Sequence, residues 1–152
     1  MADREPVNAT KIGGVTLDDD ARRLLDGRNF GHLATLLPDG SPKVEPVWVA
    51  REGDRVLVAT DGKSIKAQNV ARDARVGLSV IADDNPYDQV LIRGRVVELR
   101  DDDDLAYLDA MSVKYLGEPF GRRRWSKRLV LVIEPSIARS YRSTLQHPEG
   151  KP

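Results

Sequence analysis

Short apolar, β-rich runs punctuated by turn residues make up most of the chain, broken by three stretches that read as helices. Near the N-terminus, Leu17, Ala21, Leu24 and Leu25 fall at i, i+4, i+7 and i+8, which predicts a short amphipathic helix. Thr16 and Asp19 have the spacing of a capping box, and Gly27 supplies the stop. The runs FGHLATLL, SPKVEPVWVA and RVLVAT follow, separated by PDG and EGD, so consecutive hairpins are expected. The segment DGKSIKAQNVARDARV opens like a helix and leads into GLSVIA, the loop DDNPYD and the long run QVLIRGRVVEL. Gly94 sits inside that run and predicts a bend or bulge. After RDDDD, the residues Leu105, Leu108, Met111, Tyr115 and Leu116 share one helical face, ended by Gly117 and Pro119. The final run LVLVIEPSIARSYR reads as a closing strand bent at Pro135.

Six or so short strands with few helices predict an α+β fold, mainly β: a small six-stranded antiparallel barrel with short flanking helices. At 152 residues one domain is expected, over 16–142, between a flexible arm (1–15) and a polar tail (143–152). Lysine plus arginine (24) equals aspartate plus glutamate (24), so no global field argues for nucleic acid or an anionic membrane. With no cysteine, disulfides, thiolate metal sites and cysteine nucleophiles are excluded. The polar, acidic N-terminus and the lack of any apolar run near ~20 residues suggest a cytoplasmic protein. His32 and His147 are the only histidines; His147 lies in the tail, and His32 sits on a strand without a partner carboxylate nearby in sequence. Serine-nucleophile, P-loop and dinucleotide-binding glycine motifs are missing. For RDDDD the simpler reading is a helix cap that favours the dipole, and a metal site is the lesser one.

The segment around Ser64 carries the candidate chemistry. Amides at a helix start lack intrahelical partners and sit at the positive end of the dipole, so a helix opening at Ser64 forms a natural anion site. Lys66 falls within its first turn and Lys63 flanks the same end, a grouping that suits a phosphate. The other reading is that Ser64 merely caps a surface helix and both lysines are solvated. The residues alone leave both open.

The stretch from GHLATLLPDGSPKVEPVWVA through RVLVATDGKSIKAQNVARDARVGLSVIADDNPYDQVLIRGRVVEL resembles the pyridoxamine 5′-phosphate oxidase-like split-barrel family, in its branch assigned to the deazaflavin coenzyme F420. The resemblance spans roughly Leu17 to Arg142, and its most specific part is Thr60, Gly62, Ser64, Lys66, Ala67, Asn69, Val70, Asp73, Arg75 and Val76 in order. It implies a homodimer of FMN-binding-type split barrels with a cofactor cleft at the interface. Ser64 and Lys66 would hold the cofactor phosphate, Thr60 would border the ring system, and Lys43, Val44, Pro46, Val47 and Trp48 would lie along the ring. Tyr87 is similar to an aromatic that members contribute across the interface, and Asn69 would orient Lys66. Trp48 stands where FMN-binding relatives carry a lysine, which favours F420 over the alternative FMN, and Ile65 stands where many relatives carry a basic residue, so one phosphate contact would be absent. Arg72, Arg75 and Arg122, Arg123 and Arg124 are candidates for the glutamate tail of F420. Tyr115 reads as core, Trp125 is undecided, and no catalytic acid is named. The implied activity is hydride transfer to a small conjugated substrate; the alternatives are an FMN enzyme or a non-catalytic carrier of the cofactor.

Overall fold

The computed structural model describes residues 14–121 and 127–143. Most of the expected arm and tail lies outside the described residues, as do Arg122, Arg123, Arg124, Trp125 and His147. Helix α1 (Asp19–Asp26) buries Ala21, Leu24 and Leu25, and Leu17 packs into the same cluster. Its cap is Asp18 instead of Thr16: Asp18 is the extended residue just before the helix, and its carboxylate accepts from Ala21 N at 2.7 Å. Thr16 stands two residues too early to reach those amides.

One antiparallel sheet follows, in the order β2-β1-β5-β6-β7-β4-β3. Its strands are β1 (Gly31–Leu36), β2 (Pro42–Val47), β3 (Ala50–Glu52), β4 (Arg55–Asp61), β5 (Arg75–Ala82), β6 (Asn85–Asp101) and β7 (Arg128–Arg142). The sheet is a split barrel, left open between its edges β2 and β3. There are seven strands where the pattern predicts six, because SPKVEPVWVA divides: β2 pairs with β1, Trp48 and Val49 break the ladder, and Ala50–Glu52 pairs with β4. Pro42 and Pro46 fall on the edge strand β2, where a missing N–H is tolerated.

The main core lies inside the curl, where Leu33, Val56, Val58, Val80, Val90, Ile92, Leu131 and Ile133 meet α1. A second cluster on the opposite face of β4 and β7, Leu57, Val130 and Val132, is covered by Met111 of helix α3 (Ala106–Leu116) with Trp48 and Tyr107. Burial on both faces explains why LVLVI is continuously apolar. The bends expected at Gly94 and Pro135 are one feature, since these residues face each other across β6 and β7 where the register shifts. A Cβ at Gly94 would overlap the Glu134 carbonyl oxygen and lie 2.9 Å from Pro135 Cα. Asp102 is buried, and its two carboxylate oxygens accept from Tyr107 N and Leu108 N at 3.0 Å each, which caps α3 as the sequence suggests. Among the described residues, no helix is long and apolar enough to cross a membrane, and no cluster of three or more His, Asp or Glu is placed to hold a metal ion.

Candidate functional site

Strand β4 delivers the chain to helix α2 (Ile65–Arg72) through a tight turn. Asp61 organises it: its carboxylate accepts from Lys63 N at 2.8 Å and its carbonyl from Ser64 N at 3.0 Å. Gly62 N donates to Lys127 O at 2.6 Å and ties the turn to the start of β7. Ser64 then caps α2, its Oγ accepting from Ala67 N at 3.2 Å and from the Thr60 hydroxyl at 2.7 Å. The amides of Ile65 and Lys66, in the first turn, have no intrahelical acceptor. Thr60 is buried, with its hydroxyl against Ser64 Oγ.

Strand β2 completes the corner from across β1. Its register sets Lys43 opposite Thr35, Glu45 opposite Leu33 and Val47 opposite Gly31, so these three share the inner face. Lys43 Nζ lies 3.1 Å and Lys66 Nζ 3.4 Å from different oxygens of Glu45. Lys43 of β2 and Lys66 of α2 thus meet at one carboxylate, at the end of the sheet where Ser64 caps α2.

Other residues go elsewhere. Asn69 is 1% exposed and turned inward: its Nδ2 donates to Thr35 Oγ1 at 3.0 Å and its Oδ1 accepts from Arg72 at 2.9 Å, so it braces β1 and Arg72 instead of orienting Lys66. Arg72 also donates to Leu36 O at 2.6 Å. Arg75 is exposed and paired with Asp73, whose carboxyl it holds down at about 2. The expected row along the ring divides by strand alternation. Val44 and Pro46 face outward, opposite to Lys43 and Val47, and Val47 is buried. Trp48 stacks on Tyr115 (centroids 5.2 Å, planes 6° apart) and meets Phe120 edge-on at 6.1 Å. Tyr115 is core, as its helical face predicts, and its hydroxyl accepts from Val49 N and donates to Asn29 O.

Tyr87 opens β6 beyond the Gly31–Val80 pairing, whereas α2 adjoins the Thr35 end of β1. It therefore stands at the opposite end of the strands from Lys66. A cavity of ≈ 380 Å³ lies at that far end, lined by Phe30, His32, Ile81, Asp83, Asp84 and Pro86 among others. Sequence reasoning missed Glu45, although the period-two spacing Lys43, Glu45, Val47 marks all three for one face. It also missed Lys114, whose Nζ donates to Leu25 O at 2.7 Å and Val49 O at 2.6 Å, and which burial pushes down to about 8.

The chain matches the family model described as Pyridoxamine 5′-phosphate oxidase over residues 17–141. No curated protein matches it significantly. Among solved structures, an F420 reductase superposes with a TM-score of 0.73 at 29% identity, covering 81% of this chain and 98% of its own. A conserved hypothetical protein from Mycobacterium tuberculosis superposes at 0.71 with 22% identity, covering 93% of this chain and 96% of its own. General Stress Protein 26 from Bacillus anthracis does so at 0.62 with 18% identity, covering 80% and 91%. The last two are alike in fold alone. With most of its length inside the family match, the chain belongs to the pyridoxamine 5′-phosphate oxidase family, a flavin-binding family that includes oxidoreductases.

Proposed function

We propose that the protein is a cytoplasmic, homodimeric F420-dependent reductase that passes hydride from the reduced deazaflavin to a small conjugated organic substrate. The observation that carries this reading is the α2 corner, where Ser64 caps a helix whose first-turn amides have no intrahelical acceptor, and where Lys66 of that first turn shares the Glu45 carboxylate with Lys43 of β2. The chain's 29% identity to a solved F420 reductase points to the deazaflavin among phosphate-bearing cofactors, and Trp48, where FMN-binding relatives carry lysine, points the same way.

The residues present fit such a cofactor. Ser64, the Ile65 and Lys66 amides and the Lys66 ammonium would hold the phosphate. The outward apolar face of β2, Val44 and Pro46 with Trp48 beyond, would flank the ring, while Lys43 and Val47 could meet it only through their backbone. Lys63 and Arg75, both exposed, lie beyond α2's ends for an acidic tail. When bound, the deazaflavin supplies the hydride; the chain supplies orientation, exclusion of water and the electrostatic field.

Homodimerisation is supported by the outer sheet face. Val44, Leu91 and Tyr141 project from it 63%, 41% and 47% exposed, an apolar surface for a second copy to cover. A second copy would also be the source of Tyr87 at the cleft, since within one chain Tyr87 and Lys66 occupy opposite ends of the strands. Titration of F420 and FMN by tryptophan quenching tests the reading: tighter binding of F420 supports it, and equal affinity overturns it. Reduced F420 that is never reoxidised by a panel of enones and quinones would leave a carrier instead of an enzyme.

A further inference from the structure

Glu45 is the charge that the phosphate reading does not use. Its oxygens bridge Lys43 and Lys66, and the three side chains are largely shielded, with 25% of Glu45, 30% of Lys43 and 16% of Lys66 exposed. Inward charges on an edge strand discourage pairing with a foreign strand, and Lys43 alone would serve that end. Edge protection gives no reason for a carboxylate that reaches across to a lysine of α2. A carboxylate bridging Lys43 of β2 and Lys66 of the first turn of α2 is an anion already held by the two lysines that the phosphate reading needs.

We propose that Glu45 is a built-in counter-ion of the α2 corner, which a cofactor phosphate must displace from Lys43 and Lys66, so that Glu45 sets the affinity threshold of the site. This rests on the phosphate reading of that corner. The triad carries one net positive charge instead of two, so an arriving phosphate meets a weaker field and a like charge close by. A free phosphate has only the corner to bind and is largely excluded. A whole cofactor brings ring and tail contacts that pay for moving the carboxylate aside. Glu45 therefore lowers the affinity of the corner for every phosphate by a similar factor, whatever ring it carries, which leaves a free phosphate largely unbound while a complete cofactor still binds.

The test compares wild type, Glu45→Gln, Glu45→Ser and Lys66→Ala. Inorganic phosphate binding is read by ³¹P line broadening, and F420 and FMN binding by tryptophan quenching, all at low salt. Removing the carboxylate charge should tighten inorganic phosphate, F420 and FMN alike, by about three- to tenfold. Lys66→Ala should weaken F420. If neither Glu45 variant binds phosphate or F420 more tightly while Lys66→Ala still weakens F420, Glu45 only orients the lysines: the proposal falls and the phosphate reading stands. If Lys66→Ala leaves F420 affinity unchanged, the phosphate reading falls and takes the proposal with it.

Discussion

Asp102 should be the aspartate of the acidic run on which the protein's stability depends. It is 1% exposed, and its two oxygens satisfy the Tyr107 and Leu108 amides separately at 3.0 Å. The helix needs them, because Leu105 at its N-cap is left-handed (φ 62) and makes no side-chain cap bond. Asp102→Ala deletes two charge-assisted hydrogen bonds and strands two amides under α3. A charged hydrogen bond contributes about 1.5–3 kcal/mol, and an N-cap as measured about 0.5–2 kcal/mol. Two bonds to one carboxylate are not additive, so the expected loss is about 3 kcal/mol. For a domain of this size that lowers Tm by about 6–12 °C. Asp103→Ala, at an exposed neighbour, should change stability by no more than about 0.5 kcal/mol. Urea unfolding followed by far-UV circular dichroism reads both. Equal losses, or a loss below about 1 kcal/mol at Asp102, would refute the capping argument. A Tm raised by Ca²⁺ or Mg²⁺ in wild type but not in Asp102→Ala would revive the metal reading.

Gly94→Ala should destabilise by about 3 kcal/mol, at the upper end of overpacking costs, because the new methyl meets the backbone of Glu134 and Pro135; urea unfolding checks it, and a loss under about 1 kcal/mol contradicts the close crossing. Lys114, held down at about 8 by burial, binds fewer protons folded than unfolded above that pH. Its contribution to stability should therefore rise from about pH 8 to about pH 9.5, where tyrosines are still neutral, and fall away as pH drops through 8. The rise should be absent in Lys114→Met, as thermal melts across that range would show. Leu91→Glu on the outer sheet face should convert dimer to monomer in sedimentation, and an unchanged dimer would move the interface elsewhere.

What the sequence discloses is what short-range chemistry decides. Gly94 and Pro135 each mark a bend, and the structure places them opposite one another. The α3 face is legible because Leu108, Met111 and Tyr115 repeat at helical spacing. The break at Trp48 and Val49 is not, since neither is a turn residue and the run stays apolar across it. Ser64 and Lys66 are legible because a helix start is a local event. Asn69 lies on the same helix, yet its direction depends on Thr35, 34 residues away in sequence. Glu45 is visible as a partner of Lys43 in the period-two pattern, but that it also meets Lys66 depends on how α2 packs across β1.

The central claim is that the α2 corner holds the phosphate of F420. The direct measurement is the Kd of F420 for wild type and Lys66→Ala, at low salt, by tryptophan quenching, with a phosphate-free deazaflavin as the comparison ligand. Loss of a charge-assisted hydrogen bond of about 1.5–3 kcal/mol predicts binding weakened about 10- to 150-fold for F420. It predicts no change for the phosphate-free ligand. Equal affinity of a folded Lys66→Ala variant and wild type for F420 would contradict the account.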